Sequence, residues 1–477
     1  MSQSGQPLRV YTLDGLAPEV RAVAFAKTSR SPEPFDVIAR ELTETDSSRF
    51  HEKWVVGYGH SSVAEHAVLS IAIENLSILA AKAVEENRLS SFTEKSTRYQ
   101  VMRPENYYTP PELETEPEYR ETVASLYSTY TELLPRAVEF CESKYGSPES
   151  RRAGLNPAGK ACDAVRGLLP ASAKTNLGWT VNARSLRHAI VKLRSHPLAE
   201  MRELGDALES VCERVTPTLL RHTGASPYLR GWRESAAGEA SGPAPRGIDT
   251  GSGPRETSDG EPPLVRLVSY DSEGERRVAE SVLFSSFGCS YDEAVDRVSR
   301  MGDSEVGVLL KGALRGIGGH EAPVREFEST AYVFEIVCDF GAYRDVQRHR
   351  MTTQIAQPLT CELGYSIPSD ASAAGIAERM RGELERARES WRRLASVDRR
   401  AAQYAVPLAF RRRFTMAMNY REAYVLVRLR SRVQGHESYR RIAWAIRDEI
   451  ARVHPALGTS IPTDREIVAE SVMEGKV

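Results

Sequence analysis

The same short motifs occur twice along this chain in the same order, at an offset of roughly 240 to 260 residues, and such internal repetition constrains the fold more than any single residue does. GHSSVAEH, Gly59 to His66, precedes the alternating AVLSIAIENLS; GHEAPVREF, Gly319 to Phe327, precedes STAYVFEIVCDFG. Leu69, Ile71 and Ile73 share one face of the first run, and Tyr332, Phe334 and Ile336 one face of the second, which predicts two half-buried strands. Each strand leads into a helix-compatible segment with a charged end, AAKAVEENR to Arg88 and AYRDVQRHR to Arg350. Further on, WTVNARSL (Trp179 to Leu186) and FTMAMNYREA (Phe414 to Ala423) each open amphipathic helices. Leu204, Leu208, Val211 and Val215 recur at helical spacing in the first copy, and Ile442, Ile446, Ile450 and Val453 in the second. Both patterns stop at proline, in ERVTP at Pro217 and ARVHP at Pro455. A chain of 477 residues exceeds the usual range of one hydrophobic core, so two alignable domains are expected.

Between the copies, Glu234 to Leu264 reads ESAAGEASGPAPRGIDTGSGPRETSDGEPPL. A segment this rich in Gly, Ser and Pro cannot bury enough apolar surface to offset its ordering entropy, and is expected to be a flexible linker. Domains at 1–233 and 265–477 follow. The net charge of -2 gives no electrostatic reason for nucleic acid or an anionic membrane as partner. No stretch approaches a membrane span, and MSQSGQPLRVYTLDG lacks the apolar core of a signal peptide. The six cysteines are scattered without a CxxC pair, so they read as small buried thiols in a cytosolic protein.

Three clusters could carry chemistry. Arg348-His349-Arg350, preceded by Arg344, suits a phosphate through guanidinium forks, although cations also favour a plain helix C-terminus. Glu94-Lys95-Ser96-Thr97-Arg98-Tyr99 sets hydroxyls beside an arginine, and is equally an ordinary polar loop. Asn182 with Arg184, and Asn419 with Arg421, open helices that carry Arg194 or Arg430 further on; an asparagine there favours anions or simply caps the helix. His60, Glu65 and His66 lack the spacing of a helical zinc motif, so no metal site is expected. No GxGxxG follows a strand and no GxSxG elbow occurs, which argues against Rossmann-type cofactor binding and a hydrolase triad.

In combination and order, these clusters resemble the flavin-dependent thymidylate synthases. That family shows a GH-x4-EH segment, a strand, a helix, RHR followed by seven residues and then S-x-R-Y, and an NAR-like segment opening a helix that bears an arginine. WTVNARSL and STRY match closely in the first half, and RHR fully in the second. The departures are complementary. The first half has Glu86-Asn87-Arg88 for RHR but keeps Glu94, Ser96, Arg98 and Tyr99. The second keeps RHR but has Ala356, Pro358 and Thr360 where the motif's Glu, Ser and Arg belong, Arg325 where the first has Glu65, and Gln403 where the first has Arg166 before LLP.

The resemblance implies an α+β fold, antiparallel or mixed sheet packed with long helices, in two tandem copies forming a pseudo-dimer. It implies one composite site, with Arg348-His349-Arg350 and Arg430 facing Ser96, Thr97 and Arg98 and lacking the arginine replaced by Gln403. The reciprocal pairing, with Glu86, Asn87, Pro358 and Thr360, is expected to be dead. The implied reaction is reductive methylation of dUMP to dTMP, with methylenetetrahydrofolate as carbon source and FAD reduced by NADPH. Arg348, His349, Arg350, His320, Asn419, Arg421, Ser62, Glu94, Asn182 and Arg184 would hold FAD; Ser96, Thr97, Arg98 and Arg348 would hold the nucleotide. Arg430 would polarise the uracil, as a fixed cation stabilising developing charge. A chain already a pseudo-dimer is expected to pair into a homodimer, a pseudo-tetramer. The alternatives are a non-catalytic flavin- or nucleotide-binding pseudoenzyme of the same fold, and methylation of another uracil-containing substrate.

Overall fold

The computed structural model describes residues 8–29, 31–52, 55, 61–239 and 264–464. Within them the fold is α+β, packed as two compact units that do not follow chain order. The smaller takes 8–76, Asn87–Glu94 and 175–239; the larger takes Ser77–Glu86, Lys95–Lys174 and 264–464. The middle of the first repeat is thereby built into the same unit as the second repeat. Helix Pro227–Glu239 runs into the expected linker and a strand starts at Leu264, while 240–263 lie outside the described residues, as do Gly59 and His60 of the first GH motif. Among the described residues no helix is long and apolar enough to cross a membrane.

The smaller unit holds a three-stranded sheet of β1 (Val68–Ser77), β2 (Ser90–Glu94) and β3 (Lys174–Asn182), in the order β1-β3-β2. Leu69 and Ile73 are buried, as the alternation predicts. β2 runs antiparallel to β3, and Phe92 stacks on its cross-strand partner Trp179 with ring centroids 5.8 Å apart. Asn182 closes β3 and caps helix Ala183–Arg194, its Oδ1 accepting from the Ser185 N–H at 2.9 Å.

The next helix, Ala199–Cys212, departs from expectation. It buries Met201, Gly205, Leu208 and Cys212, whereas Val211 and Val215 are exposed. A Cβ on Gly205 would stand only 3.0 Å from Arg194 Cγ and 3.2 Å from Leu193 Cβ, so the two helices close through this glycine. The buried stripe turns accordingly. The helix also ends at Cys212, before the expected ERVTP stop.

The larger unit holds β4 (Leu264–Tyr270), β5 (Ala331–Asp339), β6 (Thr353–Ala356) and β7 (Arg411–Asn419), an antiparallel sheet in the order β4-β5-β7-β6. Tyr332, Phe334 and Ile336 are fully buried, as are Ile442, Ile446 and Ile450 of helix Glu437–Val453. The long helices Pro117–Tyr145 and Ala377–Val397, one from each repeat, meet where Thr129 Oγ1 donates to Glu383 Oε2 at 3.0 Å.

Duplication is visible in the contacts themselves. In the smaller unit Glu19 Oε1 accepts from the Thr218 and Leu219 N–H groups; in the larger, Glu275 Oε1 accepts from those of Ala456 and Leu457. Inside the larger unit the repeats also exchange reciprocal main-chain bonds. Ala171 N donates to Val406 O at 2.8 Å and Leu408 N to Leu169 O at 2.9 Å; Ser172 N donates to Tyr404 O, and Ala409 N to Gly167 O, both at 2.9 Å. Pro170 lies opposite Pro407 at the centre. Mutual exchange of this kind marks an isologous, two-fold contact, so within one chain the repeats form a pseudo-dimer.

Candidate functional site

Two equivalent helix starts set the stage. Ser77 Oγ accepts from the Ala80 N–H and caps helix Ile78–Glu85; Asp339 Oδ1 accepts from the Ala342 N–H and caps helix Phe340–Val346. The second helix stops at Val346, so Arg348-His349-Arg350 lie just past it, as an arginine-rich helix end does. Helix Pro157–Val165 of the first repeat brings Asp163, and Arg166 follows it; helices Tyr420–Arg430 and Glu437–Val453 bring Arg430 and Tyr439.

These groups converge within the larger unit. Arg98 grips Asp163 with two prongs, Nε to Oδ1 at 2.9 Å and Nη2 to Oδ2 at 2.8 Å, and its Nη1 donates to Tyr439 Oη at 3.2 Å. Arg166 Nε stands 3.4 Å from Asp163 Oδ1, and its Nη2 stands 3.9 Å from Asp345 Oδ2. Arg348 Nε is 4.0 Å from Asp345 Oδ1, and half of its side chain is exposed. Arg430 Nε donates to His349 Nε2 at 3.0 Å, and His349 Nδ1 lies 2.9 Å from Glu422 Oε1.

Four guanidinium groups (Arg98, Arg166, Arg348, Arg430) meet the carboxylates of Asp163 and Asp345, with Glu422 behind His349 and Asp339 along the adjoining cleft, and arginine does not give up its proton. Burial alone would raise Asp163 and Asp345. Arg166, His436 and Arg98 instead hold Asp163 down at about 2, and Arg166, Arg348, Arg430 and Arg98 hold Asp345 below the carboxylate range. Burial lowers Arg430, and the neighbouring Arg348 and Arg98 add to that. Arg166 Nη2 is buried without a hydrogen-bond partner. An unsatisfied buried guanidinium donor among several arginines suits a phosphate.

The arginine counted as missing at Gln403 is met here by Arg166. Gln403 itself accepts the Leu359 N–H at 2.9 Å and donates to Arg400 O at 3.0 Å. A cleft whose lining includes Asp163, Arg166, Asp339, His436, Glu437 and Arg441, with Gly167 and Gly341 on its wall, adjoins the cluster. By the reciprocal bonds above, Gly167 corresponds to Tyr404, and Gly341, bonded to Leu408, corresponds to Leu79, bonded to Ala171. Tyr404 is buried with its ring 5.0 Å from that of Tyr108. The counterparts of the two cleft glycines thus carry buried side chains, Tyr404 and Leu79.

Among the other expected site residues, Ser96 Oγ accepts from the Arg98 N–H at 3.1 Å, and Thr97 Oγ1 accepts from Arg344 at 3.0 Å. Asn419 caps helix Tyr420–Arg430, while Arg421 donates to Pro323 O at 2.6 Å and to Glu328 at 3.1 Å. Arg350 is partly buried and His320 exposed. Ser62, Glu94, Asn182 and Arg184 belong to the smaller unit, where Ser62 is exposed, Asn182 is a cap and Arg184 pairs with Glu65. Asp163, Asp345, Glu422 and Tyr439 were not anticipated. The signal for the first two was an acid inside an apolar helical run, KACDAV and AYRDV, where a carboxylate has to find a cation.

The model of the thymidylate synthase complementing protein family matches residues 12–218 and again 266–456. The chain belongs to that family. It is 31% identical to a UPF0159 protein of Chlamydia muridarum, over 94% of this chain and 90% of that protein, and 28% identical to a UPF0159 protein of Thermoplasma acidophilum over 92% and 93%. It is 26% identical to the flavin-dependent thymidylate synthase of Clostridium tetani, over 44% of this chain and 83% of the synthase. The UPF0159 proteins match along nearly the whole chain and the synthase along less than half of it.

Proposed function

We propose that the chain catalyses the reductive methylation of dUMP to dTMP, with methylenetetrahydrofolate and NADPH as co-substrates and FAD as cofactor, at one composite site per chain. The observation that carries this reading is the meeting of four arginines from both repeats, one with a buried donor that no protein group satisfies. The unpartnered Arg166 Nη2 and the half-exposed Arg348 fit a phosphate-bearing cofactor and a nucleotide. FAD, when bound, supplies the hydride chemistry. Arg348 and Arg350 hold its phosphates, and Ser96 and Arg98 hold the phosphate of dUMP. Arg430 faces the uracil, where a fixed guanidinium stabilises charge developing at N3 and the adjacent carbonyl. Two chains pair as a homodimer, which light scattering reports as twice the chain mass.

A second reading, a flavin- or nucleotide-binding pseudoenzyme, is favoured by one observation: Arg98 is already paired on two prongs with Asp163. Incubating the protein with FAD, NADPH, methylenetetrahydrofolate and dUMP separates the two. dTMP is the expected product; tight FAD and dUMP binding without dTMP would support the pseudoenzyme, and binding of neither would contradict both.

A further inference from the structure

We propose that Glu422 is a positioning residue that holds Arg430 in place through His349. The inference rests on the composite site proposed above and adds to it Glu422, a residue of the FTMAMNYREA segment to which the motif comparison gave no role. A guanidinium N–H only donates, so the 3.0 Å contact from Arg430 Nε requires a bare Nε2 on His349. The imidazole proton then sits on Nδ1 and is donated to Glu422 Oε1 at 2.9 Å, a carboxylate that only accepts. Each bond fixes the direction of the next, so Arg430 cannot rotate without breaking a buried contact.

Glu422 and His349 are each anchored in turn. Asn419 Oδ1 accepts from the Glu422 N–H at 2.9 Å, placing Glu422 in the first turn of its helix. Thr352 Oγ1, at 2.6 Å, and Gln354 Nε2, at 3.2 Å, both donate to His349 O, which holds the imidazole's own backbone. Burial lowers the His349 ring's affinity for a second proton, in keeping with the neutral form the contacts require.

The first repeat provides the contrast. Counting from the caps Asn182 and Asn419, Ser185 stands where the second repeat has Glu422, and Asn87 stands for His349. On the same count Arg430 falls opposite Leu193; Arg194, one residue further and so turned about 100° round the helix, donates to Asp206 Oδ1 and Glu209 Oε1, both at 2.7 Å. The first repeat has Asn87 and Ser185 in place of the histidine–glutamate pair that would hold an arginine there. With the pair, Arg430 is held by a neutral acceptor and keeps its charge for a ligand.

The test uses the full 15N-labelled chain without ligands, followed by kinetics. The Arg430 Nε–H signal is assigned by its loss in Arg430→Lys, and the His349 tautomer is read from its ring nitrogens. Expected are a proton on Nδ1 and a protected Arg430 Nε–H in the native protein. That protection should be lost in Glu422→Ala and retained in Glu422→Gln, whose amide oxygen still accepts from Nδ1. In the dTMP assay Glu422→Ala should lower kcat/KM for dUMP by about 10- to 100-fold, as misplacement of a catalytic group does, with Glu422→Gln restoring most of it. A proton on Nε2 in the native protein, or unchanged Arg430 protection in Glu422→Ala, would overturn the proposal. Absence of dTMP formation in every variant, with the spectra as expected, would leave the relay standing and overturn the enzyme reading alone.

Discussion

Asp163→Ala is expected to destabilise the larger unit by about 3 to 5 kcal/mol, the range for removing one partner from a buried, hydrogen-bonded ion group. The acid is 4% exposed and is the shared partner of Arg98 and Arg166; without it, two guanidinium groups face each other across a buried cavity. Asp163→Asn, which keeps an acceptor and loses the charge, should cost less. The same residue gives the acid limb a definite shape. Its carboxyl falls from 3.8 to about 2 on folding, so its contribution is fully present above pH 4 and is lost as pH falls through about 2. A shift of this size corresponds to about 2 kcal/mol. Urea unfolding of native and variant protein at pH 7 and pH 3 measures both effects. A loss under about 1 kcal/mol for Asp163→Ala at pH 7 would mean that the arginines are held apart by something else.

Arg348→Ala should nearly abolish dUMP-dependent turnover, by about 100- to 1000-fold, the cost of removing a preorganised charge from an active site. Its stability should scarcely change, within about 0.5 kcal/mol, because the side chain is half exposed and 4.0 Å from the nearest paired carboxylate. That separation makes it a cleaner probe than Arg98→Ala, which should be equally inactive but also leaves Asp163 with one fewer partner. Asn87→Ala, in the corresponding position of the first repeat, should leave activity per folded molecule within a factor of about 3. Steady-state rates with dUMP as the varied substrate decide the matter. If Asn87→Ala were as damaging as Arg348→Ala, the live half of the pseudo-dimer would be the other one.

Much of the fold was legible because its units are periodic. The strand alternation at Leu69 to Ile73 and Tyr332 to Ile336, the caps Asn182 and Asn419, and the stripe Ile442, Ile446 and Ile450 all obey local rules of spacing. The helix Ala199–Cys212 was misread because Gly205, which has no hydrophobic weight in such a pattern, decides which face packs. Chain order was equally misleading for compactness. Bonds such as Ser172 to Tyr404 join residues far apart in sequence, and no local pattern announces them.

For the site, motif comparison found the cations but not their partners. Arg98, Arg348 and Arg430 stand in recognisable segments; Asp163, Asp345 and Glu422 became visible only when the helices bearing them were brought together. The loss inferred at Gln403 follows the same logic. Position in a motif identified it as a missing charge, whereas the packing has Arg166 in the cluster and gives Gln403 the task of holding the Leu359 N–H.

A central consequence of this asymmetry is the number of sites. Gly167 and Gly341 border a cleft beside the arginine cluster, while their counterparts Tyr404 and Leu79 carry buried side chains. Titrating FAD into a known concentration of folded chain, with the flavin spectrum as the readout, counts the sites directly. One FAD per chain at saturation is the expected result; two per chain would contradict a single composite site.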